Sequence, residues 1–285
     1  MINFNGTLLE DNTILSAQNR GYAYGDGLFE TIKVVSDKIL FWEDHYFRLM
    51  ASMRIMRMEI PMNFTMEFLE AQIHETIKAN ELAKTSSRVK LQVHRNEGGF
   101  YTPNSNEISF IITIKPISED FYLLNEAFYK VDLFKDYYIS PSLLSTLKTN
   151  NKALNVIGSI YAKENNLDNC LLLNTSKNVV EALNGNVFLV KDNIIKTSPL
   201  TDGCLKGVMR TQLINIIETL SEYKLVEDSI SPFEIQKADE MFITNVITGI
   251  QPVSKYRKKM FGNEFSKLLL QKLNIKIRLT APNEF

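Results

Sequence analysis

The sequence predicts an α+β to α/β fold in two domains, a smaller N-terminal one and a larger, strand-rich C-terminal one. In the first third, apolar runs that read as hairpins alternate with stretches of helical spacing. The second half is richer in strand-like runs, again with helices between them. A polar stretch around Pro116 separates the two parts. We therefore expect domains at residues 1–117 and 128–280, joined by a linker at 118–127.

The elements of the first domain are predicted from the spacing of apolar residues and from turn and helix-stop residues. We predict strands at 28–35 and 39–42, helices at about 43–59 and 64–80, and strands at 88–94 and 108–114. A turn at 36–38 separates the first two strands, and Pro61 is expected to stop the first helix. The order of these elements favours hairpins around a helical segment.

In the second domain, a helix is expected soon after Lys148 and a three-strand meander after that. We predict helices at 150–165, 207–223 and 232–238, and strands at 170–173, 179–190, 194–197 and 241–244. Asn184-Gly185 should break the strand at 179–190. The tail at 280–283 is expected to be frayed.

Composition excludes several classes of protein. Of 285 residues, 45% are hydrophobic, and 32 basic against 33 acidic side chains give a formal net charge of −1. Nothing therefore favours binding to nucleic acid. No run approaches the roughly 18 apolar residues of a membrane helix, and the start lacks the layout of a signal peptide. Two cysteines and three scattered histidines make no metal pattern. We expect a cytoplasmic enzyme without a metal that acts on small molecules.

Two residues are candidates for catalysis. Lys148 ends a partly apolar stretch just before a predicted helix, and a Schiff base needs a neutral amine, which partial burial favours. Glu181 lies in an otherwise apolar strand, where a carboxylate could keep a pyridine nitrogen protonated. Taken singly, Lys148 also fits a solvated lysine, and Glu181 fits a solvent-facing glutamate on a strand.

Other residues are candidates for binding. Arg48 lies on the polar side of a predicted helix, and the amides of Gly207-Val208-Met209 open another; either could bind a phosphate. Tyr24 and Phe29 flank a Gly-Asp-Gly turn and could line a pocket, while Arg95 beside a loop could bind a substrate carboxylate. A surface arginine, an ordinary helix start, core aromatics and a hairpin arginine are the open alternatives.

The order of these segments resembles the class IV aminotransferases, the fold-type IV enzymes that use pyridoxal 5'-phosphate (PLP). This group includes branched-chain and D-amino-acid aminotransferases and 4-amino-4-deoxychorismate lyases. The resemblance runs from about residue 19 to 253. The segments that carry it are Tyr24 to Ile32, His45 to Leu49, Leu147-Lys148, Glu181 to Phe188, Gly207 to Arg210, and Asp239 to Val253.

The resemblance implies two domains with PLP in the cleft between them, and a homodimer in which the partner's N-terminal domain closes the pocket. Lys148 would form the Schiff base and shuttle a proton, and Glu181 would pair with the ring nitrogen. The further residues implied to bind the cofactor are Arg48, Asn186, Gly207, Val208, Met209, Asn245 and Val246.

The resemblance leaves the reaction open. We expect an aminotransferase acting between an amino acid and a 2-oxo acid. The close alternative is 4-amino-4-deoxychorismate lyase, which releases pyruvate and 4-aminobenzoate, and the remote one is a non-catalytic PLP-binding protein. Two departures concern the branched-chain pattern: Ala153 replaces a common tyrosine, and Asn245-Val246-Ile247 replaces Gly-Thr-Ala.

Overall fold

The computed structural model describes residues 1–10 and 15–279. These divide into two compact units, Met1–Phe121 with Lys148–Asn151, and Tyr122–Leu147 with Lys152–Phe285. The first passage between units, after Phe121, falls inside the stretch predicted as a linker. The return of Lys148–Asn151 to the first unit differs from the predicted division, because a boundary read along the chain assigns each domain one continuous segment.

The first unit contains a six-stranded antiparallel sheet with helices packed on it. Its strands are β1 (Ile2–Phe4), β2 (Thr7–Leu9), β3 (Gly27–Val35), β4 (Lys38–Ile39), β5 (Ser87–Arg95) and β6 (Ile108–Pro116), in the order β2-β1-β6-β5-β3-β4. Its helices are α1 (Arg20–Ala23), α2 (Trp42–Ile55) and α3 (Met66–Ala79). Helix α2 packs on β3, and α3 packs on β6 and β1. Strand β3 is therefore covered and almost wholly buried.

The predicted hairpins and helices of this unit are confirmed, with two corrections. The return strand after the turn at 36–38 is only two residues long, because Phe41 has a φ of 56° and helix α2 begins at Trp42. Helix α2 also ends at Ile55, before Pro61 is reached, and Arg57 has a φ of 54°. The β1–β2 hairpin was not predicted, because two three-residue strands carry too little alternation.

The second unit is built on a sheet of ten strands. They are β7 (Lys130–Ile139), β8 (Asn169–Asn174), β9 (Val179–Ala182), β10 (Gly185–Lys191), β11 (Ile194–Thr197), β12 (Lys224–Glu227), β13 (Glu240–Asn245), β14 (Gly249–Pro252), β15 (Lys255–Tyr256) and β16 (Lys259–Met260). Its helices are α4 (Ala153–Glu164), α5 (Val208–Ile217), α6 (Pro232–Ile235) and α7 (Glu264–Leu279), with 3₁₀ turns at Leu144–Thr146 and Leu200–Asp202.

Strand β10 is the junction of this sheet. It pairs antiparallel with β9, β11 and β13, and the main path runs β12-β11-β10-β9-β8-β7-β15-β16. Strands β11 and β12 are parallel, with α5 as the crossover between them. A parallel pair needs such a crossover, which places the start of α5 beyond the carboxyl end of β11.

The predicted meander is confirmed, including the break that separates β9 from β10 at Asn184-Gly185. Helices α4, α5 and α6 are shorter than predicted; α5 ends at Ile217 because its last predicted residues form turns that lead into β12. Strands β7 and β14 to β16 and helix α7 were not predicted. The tail at 280–283 lies outside the described residues. No helix in the described ranges is long and apolar enough to cross a membrane, and a cytoplasmic location stays a prediction.

Candidate active site

Lys148 is held by backbone contacts with the start of β3. Its carbonyl accepts a hydrogen bond from Phe29 N–H at 2.9 Å, and Asn150 N–H donates to the Gly27 carbonyl at 2.9 Å. The Lys148 Nζ lies 4.5 Å from the centroid of the Phe29 ring. Lys148 is partly buried, and its backbone is held by a strand that is remote in sequence.

A buried carboxylate lies next to Phe29 on the same strand. Glu30, 1% exposed, accepts hydrogen bonds from Arg48 Nε at 2.8 Å and from Arg48 Nη2. His45 Nδ1 lies 2.7 Å from Glu30 Oε2. Helix α2 carries both His45 and Arg48, three residues apart and thus on one face. Strand β3 and helix α2 together hold this charged group in the first unit.

The electrostatics of this group favour an ionised Glu30. Burial alone would raise the pKa of Glu30, but the Arg48 charge and the hydrogen bonds from His45 and Arg48 lower it to about 2. Burial lowers the pKa of His45, and the charges of Arg48 and Lys148 add to that lowering, against the opposing effect of Glu30. His45 is therefore neutral at pH 7, with Nδ1–H donating to Glu30. Its Nε2 is buried and has no hydrogen-bond partner among the described residues.

Glu181 and Asn186 both form hydrogen bonds with Leu205 in the second unit. They are cross-strand partners in the β9–β10 hairpin. Leu205 N–H donates to Glu181 Oε2 at 2.8 Å, and Asn186 Nδ2 donates to the Leu205 carbonyl at 2.9 Å. The two side chains therefore orient the segment that leads into α5, and that segment in turn orients the Glu181 carboxylate.

Gly207 is the N-cap residue of α5, and no side chain within residues 15–279 caps this helix end. A Cβ added to Gly207 would lie 2.1 Å from Asn186 Oδ1, so only glycine fits without displacing Asn186. The first amides of an α-helix have no partner within the helix. The amides of Val208 and Met209 consequently form a site suited to an anion.

The predicted contacts at Asn245 and Val246 lie in the turn between β13 and β14. Asn245 Oδ1 accepts hydrogen bonds from Ile247 N–H at 3.0 Å and Thr248 N–H at 2.9 Å. The Val246 carbonyl accepts from Tyr122 Oη at 2.6 Å. The neighbouring Thr244, a β-sheet partner of Asn186, has a buried Oγ1 without a hydrogen-bond partner in the described part of the chain. Sequence reasoning missed Thr244.

The contacts of Arg95 differ from those expected of a substrate clamp. Its guanidinium is buried and donates to Asp26 Oδ2 at 3.0 Å, to Asn106 Oδ1 at 2.6 Å, and to the carbonyls of Arg57 at 3.1 Å and Met56 at 2.7 Å. These contacts join β5 to neighbouring loops and favour a structural role. The role of Arg95 in substrate binding stays a prediction that its surroundings do not favour.

Tyr24 is half-exposed and lies at the edge of an aromatic group. Its ring centroid is 5.8 Å from that of Tyr101, and the Arg20 guanidinium carbon lies 4.9 Å from the Tyr24 centroid. Arg20 also donates to Asp26 Oδ2 at 2.9 Å and to the Phe100 carbonyl at 2.6 Å. The Asp26 carboxylate of the Gly-Asp-Gly turn thus lies between two arginines.

Two collections of predicted residues are therefore each assembled by their own unit. The first unit brings together Phe29, Arg48 and Lys148. The second brings together Glu181, Asn186 and the Gly207-Val208-Met209 helix start. Glu30 and His45 were missed, although a glutamate inside the apolar run 28–35 was a signal of the same kind as Glu181.

Comparison with known proteins identifies relatives along nearly the whole chain. The family model described as amino-transferase class IV matches residues 27–256. A D-alanine aminotransferase of Bacillus licheniformis is 25% identical over 272 residues, which are 91% of this chain and 89% of that protein.

Solved structures have the same fold. A 4-amino-4-deoxychorismate lyase from Pseudomonas aeruginosa has a TM-score of 0.82 at 25% identity and covers 97% of this chain and 99% of its own. A branched-chain amino acid aminotransferase of T.th. with pyridoxamine 5'-phosphate has a TM-score of 0.83 at 22% identity, with 95% and 92% covered. The fold-type IV architecture is thereby confirmed.

Proposed function

The chain belongs to the class IV aminotransferase family, and from this premise we propose that it uses PLP to transfer an amino group between an amino acid and a 2-oxo acid. The observation that carries the proposal is the placement of the Lys148 amine. Two backbone hydrogen bonds fix its segment against β3, and Nζ lies 4.5 Å from the Phe29 ring centroid. A positioned, partly buried amine is the nucleophile that such chemistry requires.

The residues present fit PLP. An aldehyde needs an amine, which Lys148 supplies. A phosphate needs N–H donors, which the uncapped start of α5 offers, and the buried Thr244 Oγ1 lacks a partner within residues 15–279. A protonated pyridine nitrogen needs an anionic partner, and Glu181 supplies a carboxylate whose Oε2 accepts a hydrogen bond from Leu205 N–H.

Each residue of the proposed site would then have a separate role. PLP, when bound, supplies an electron sink for the substrate's α-carbon. Lys148 Nζ would hold the cofactor and would move a proton to and from the substrate α-carbon. Glu181 holds a proton at the ring nitrogen. Arg48, with the amides of Val208 and Met209 and with the backbone at Asn245-Val246, binds the phosphate.

Arg48 binds its anion from a fixed position. Glu30 accepts hydrogen bonds from its Nε and Nη2, and this paired geometry orients the guanidinium. Glu30 is thus a positioning residue for Arg48, and His45 positions Glu30 from the other side. Because His45 is neutral, the charged groups here are one carboxylate, Glu30, and two cations, Arg48 and Lys148.

The test is the visible absorption spectrum of the purified protein with PLP, before and after a panel of L- and D-amino acids. We expect an absorption band of bound PLP that converts to the pyridoxamine form with some donors. Lys148→Ala should abolish covalent attachment and turnover, and Glu181→Gln should keep PLP bound and slow turnover. Near wild-type turnover by Lys148→Ala would refute the site.

A second candidate activity is that of 4-amino-4-deoxychorismate lyase. It is favoured by the Pseudomonas aeruginosa lyase, whose chain is matched over 99% of its length at 25% identity. The same lysine would serve both reactions. A PLP band that no amino acid in the panel converts, together with release of pyruvate from 4-amino-4-deoxychorismate, would establish the lyase.

The proposal includes a homodimer. Helix α4 has an exposed apolar stripe, formed by Val156 at 57%, Ile157 at 42% and Ile160 at 53% exposure. Residues at these spacings lie on one helix face, and a twofold axis can bury such a face against its own copy. We expect this stripe to be part of the contact between copies.

A further inference from the structure

Arg210 is a buried charge that the proposed function does not use. It lies in the first turn of α5, with 5% of its side chain exposed. Its Nη2 donates to the Ser198 carbonyl at 2.9 Å and to Glu227 Oε2. Ser198 follows the last residue of β11, and Glu227 is the last residue of β12. Arg210 thus ties the crossover helix to the ends of both strands that it connects.

Stability alone does not account for this arginine. Its Nε is buried and has no hydrogen-bond partner within the described ranges, and the same holds for Ser198 Oγ. Burying an unpaired donor of a charged group is costly. An ion pair buried in this way is weak support for stability compared with apolar packing. A role in geometry explains the residue better than a contribution to folding free energy.

The geometry that Arg210 controls is that of segment 198–207. Arg210 holds the first residue of this segment, and Glu181 and Asn186 hold Leu205 near its end. Lys206 N–H donates to the Thr146 carbonyl at 3.4 Å, two residues before Lys148 in the chain. The segment therefore contacts Glu181, which is proposed to act on the ring nitrogen, and leads directly into the amides proposed to bind phosphate.

We propose that Arg210 is a positioning residue, which fixes segment 198–207 so that Leu205 orients Glu181 while the Val208 and Met209 amides face the cofactor phosphate. This inference rests on the proposed function for its cofactor and on the described contacts for its geometry. It predicts that loss of Arg210 loosens one segment of the second unit and weakens PLP binding.

The experiment compares wild type with Arg210→Gln, Arg210→Lys and the control Arg257→Gln, which removes an exposed arginine paired with Asp132 at 3.5 Å. Amide hydrogen exchange is measured without PLP, and the Kd for PLP is measured by titration. For Arg210→Gln we expect about tenfold faster exchange confined to the hydrogen-bonded amides within 203–207 and a PLP Kd raised about tenfold. Arg210→Lys should recover part of both, and Arg257→Gln should match wild type.

Several results would overturn the inference. One is unchanged exchange of the hydrogen-bonded amides within 203–207. Another is a rise in exchange spread evenly over the second unit, which would mark Arg210 as structural only. An unchanged PLP Kd in Arg210→Gln beside a wild type that binds PLP would also overturn it, while leaving the proposed function intact. If wild type binds no PLP, the proposed function fails, and the exchange of the amides within 203–207 alone tests the geometry. If Arg210→Gln does not fold, amide exchange and the PLP Kd of Arg210→Lys are compared with those of wild type instead.

Discussion

At the scale of single residues, the first unit concentrates charge where β3 meets α2. Glu30 is almost fully buried, and its charge is balanced by Arg48 and supported by His45. Such a group is stable only while each partner keeps its protonation state, because an unpaired buried charge is costly. Its contribution to stability therefore depends on pH, and the sign follows from the shifts.

Glu30→Gln tests this group. A pKa lowered from 4.5 to about 2 means that the folded state stabilises the ionised carboxylate by about 3 kcal/mol relative to the unfolded chain. The contribution is complete above pH 4.5 and is lost as pH falls towards 2. We expect Glu30→Gln to lower the free energy of unfolding at pH 7 and to flatten its dependence on pH in this window, as measured by urea titration.

Glu107→Gln, an exposed change in the same unit, should leave both quantities near wild type. His45 adds a second pH window, in which stability changes in the same direction. Its lowered pKa means that the unfolded chain takes up the proton first, so stability should fall as pH drops below 6.5. If the free energy of unfolding of Glu30→Gln depended on acid pH as that of wild type does, Glu30 would not be the titrating group.

Arg95→Lys separates the two roles considered for that residue. Lysine cannot reproduce the fork that reaches Asp26, Asn106 and two carbonyls. We expect a lower melting temperature, by several degrees, with KM for the amino donor unchanged. Arg88→Lys, a partly exposed change on the same strand, is the control. A raised KM at normal stability would instead support substrate binding by Arg95.

At the scale of elements, the start of α5 is shaped by the β9–β10 hairpin. Asn186 occupies the space where a side chain at Gly207 would lie, and Asn186 and Glu181 both hold Leu205, two residues before Gly207. The helix start and Glu181 are therefore connected through hydrogen bonds to Leu205, although 19 or more positions separate the contacting residues in sequence.

Gly207→Ala tests that connection. The added methyl group would lie 2.1 Å from Asn186 Oδ1, so Asn186 must move. We expect weaker PLP binding and a loss of about 1–3 kcal/mol in the free energy of unfolding. Gly262→Ala is a matched control, because its nearest neighbours are 3.9 Å away. Equal effects of the two substitutions on the PLP Kd would argue against a close fit at Gly207.

At the scale of the whole molecule, each unit has its own sheet, and the chain returns to the first unit for only four residues, Lys148–Asn151. Those four include the proposed nucleophile. The second unit also exposes the apolar stripe on α4, a surface that water solvates poorly. We therefore expect self-association to depend on this surface rather than on a single contact.

Ile157→Glu should shift the protein from dimer to monomer, because a charge at the centre of the stripe would be buried in the contact. Light scattering coupled to size-exclusion chromatography measures the mass directly. Ile275→Glu on α7 replaces an isoleucine of similar exposure, 51%, and should not change the mass. A dimer that persists in Ile157→Glu, or a monomeric wild type, would contradict the proposed contact.

Much of the fold was predictable because it depends on local patterns. Strand β11 and the β9–β10 hairpin were recognised from apolar runs and turn residues, and α3 from its spacing. Strands β14 to β16 were not, because two to four residues are too few to show alternation. Strand β7 and helix α7 were not predicted either, although residues 130–133 alternate polar and apolar and the buried residues of α7 recur at helical spacing. Helix ends were overestimated at α2 and α5, where backbone turns rather than prolines stop the helix.

The sequence by itself determined the family, the two-part organisation and the identity of Lys148, Glu181 and Arg48 as candidates, because these depend on residue type and order along the chain. Only the tertiary structure decided that Glu30 and His45 surround Arg48, that Arg95 braces loops, and that Lys148 belongs to the first unit. These facts depend on contacts between residues far apart in sequence. Hydrogen bonding and burial set such contacts, and no local pattern encodes them.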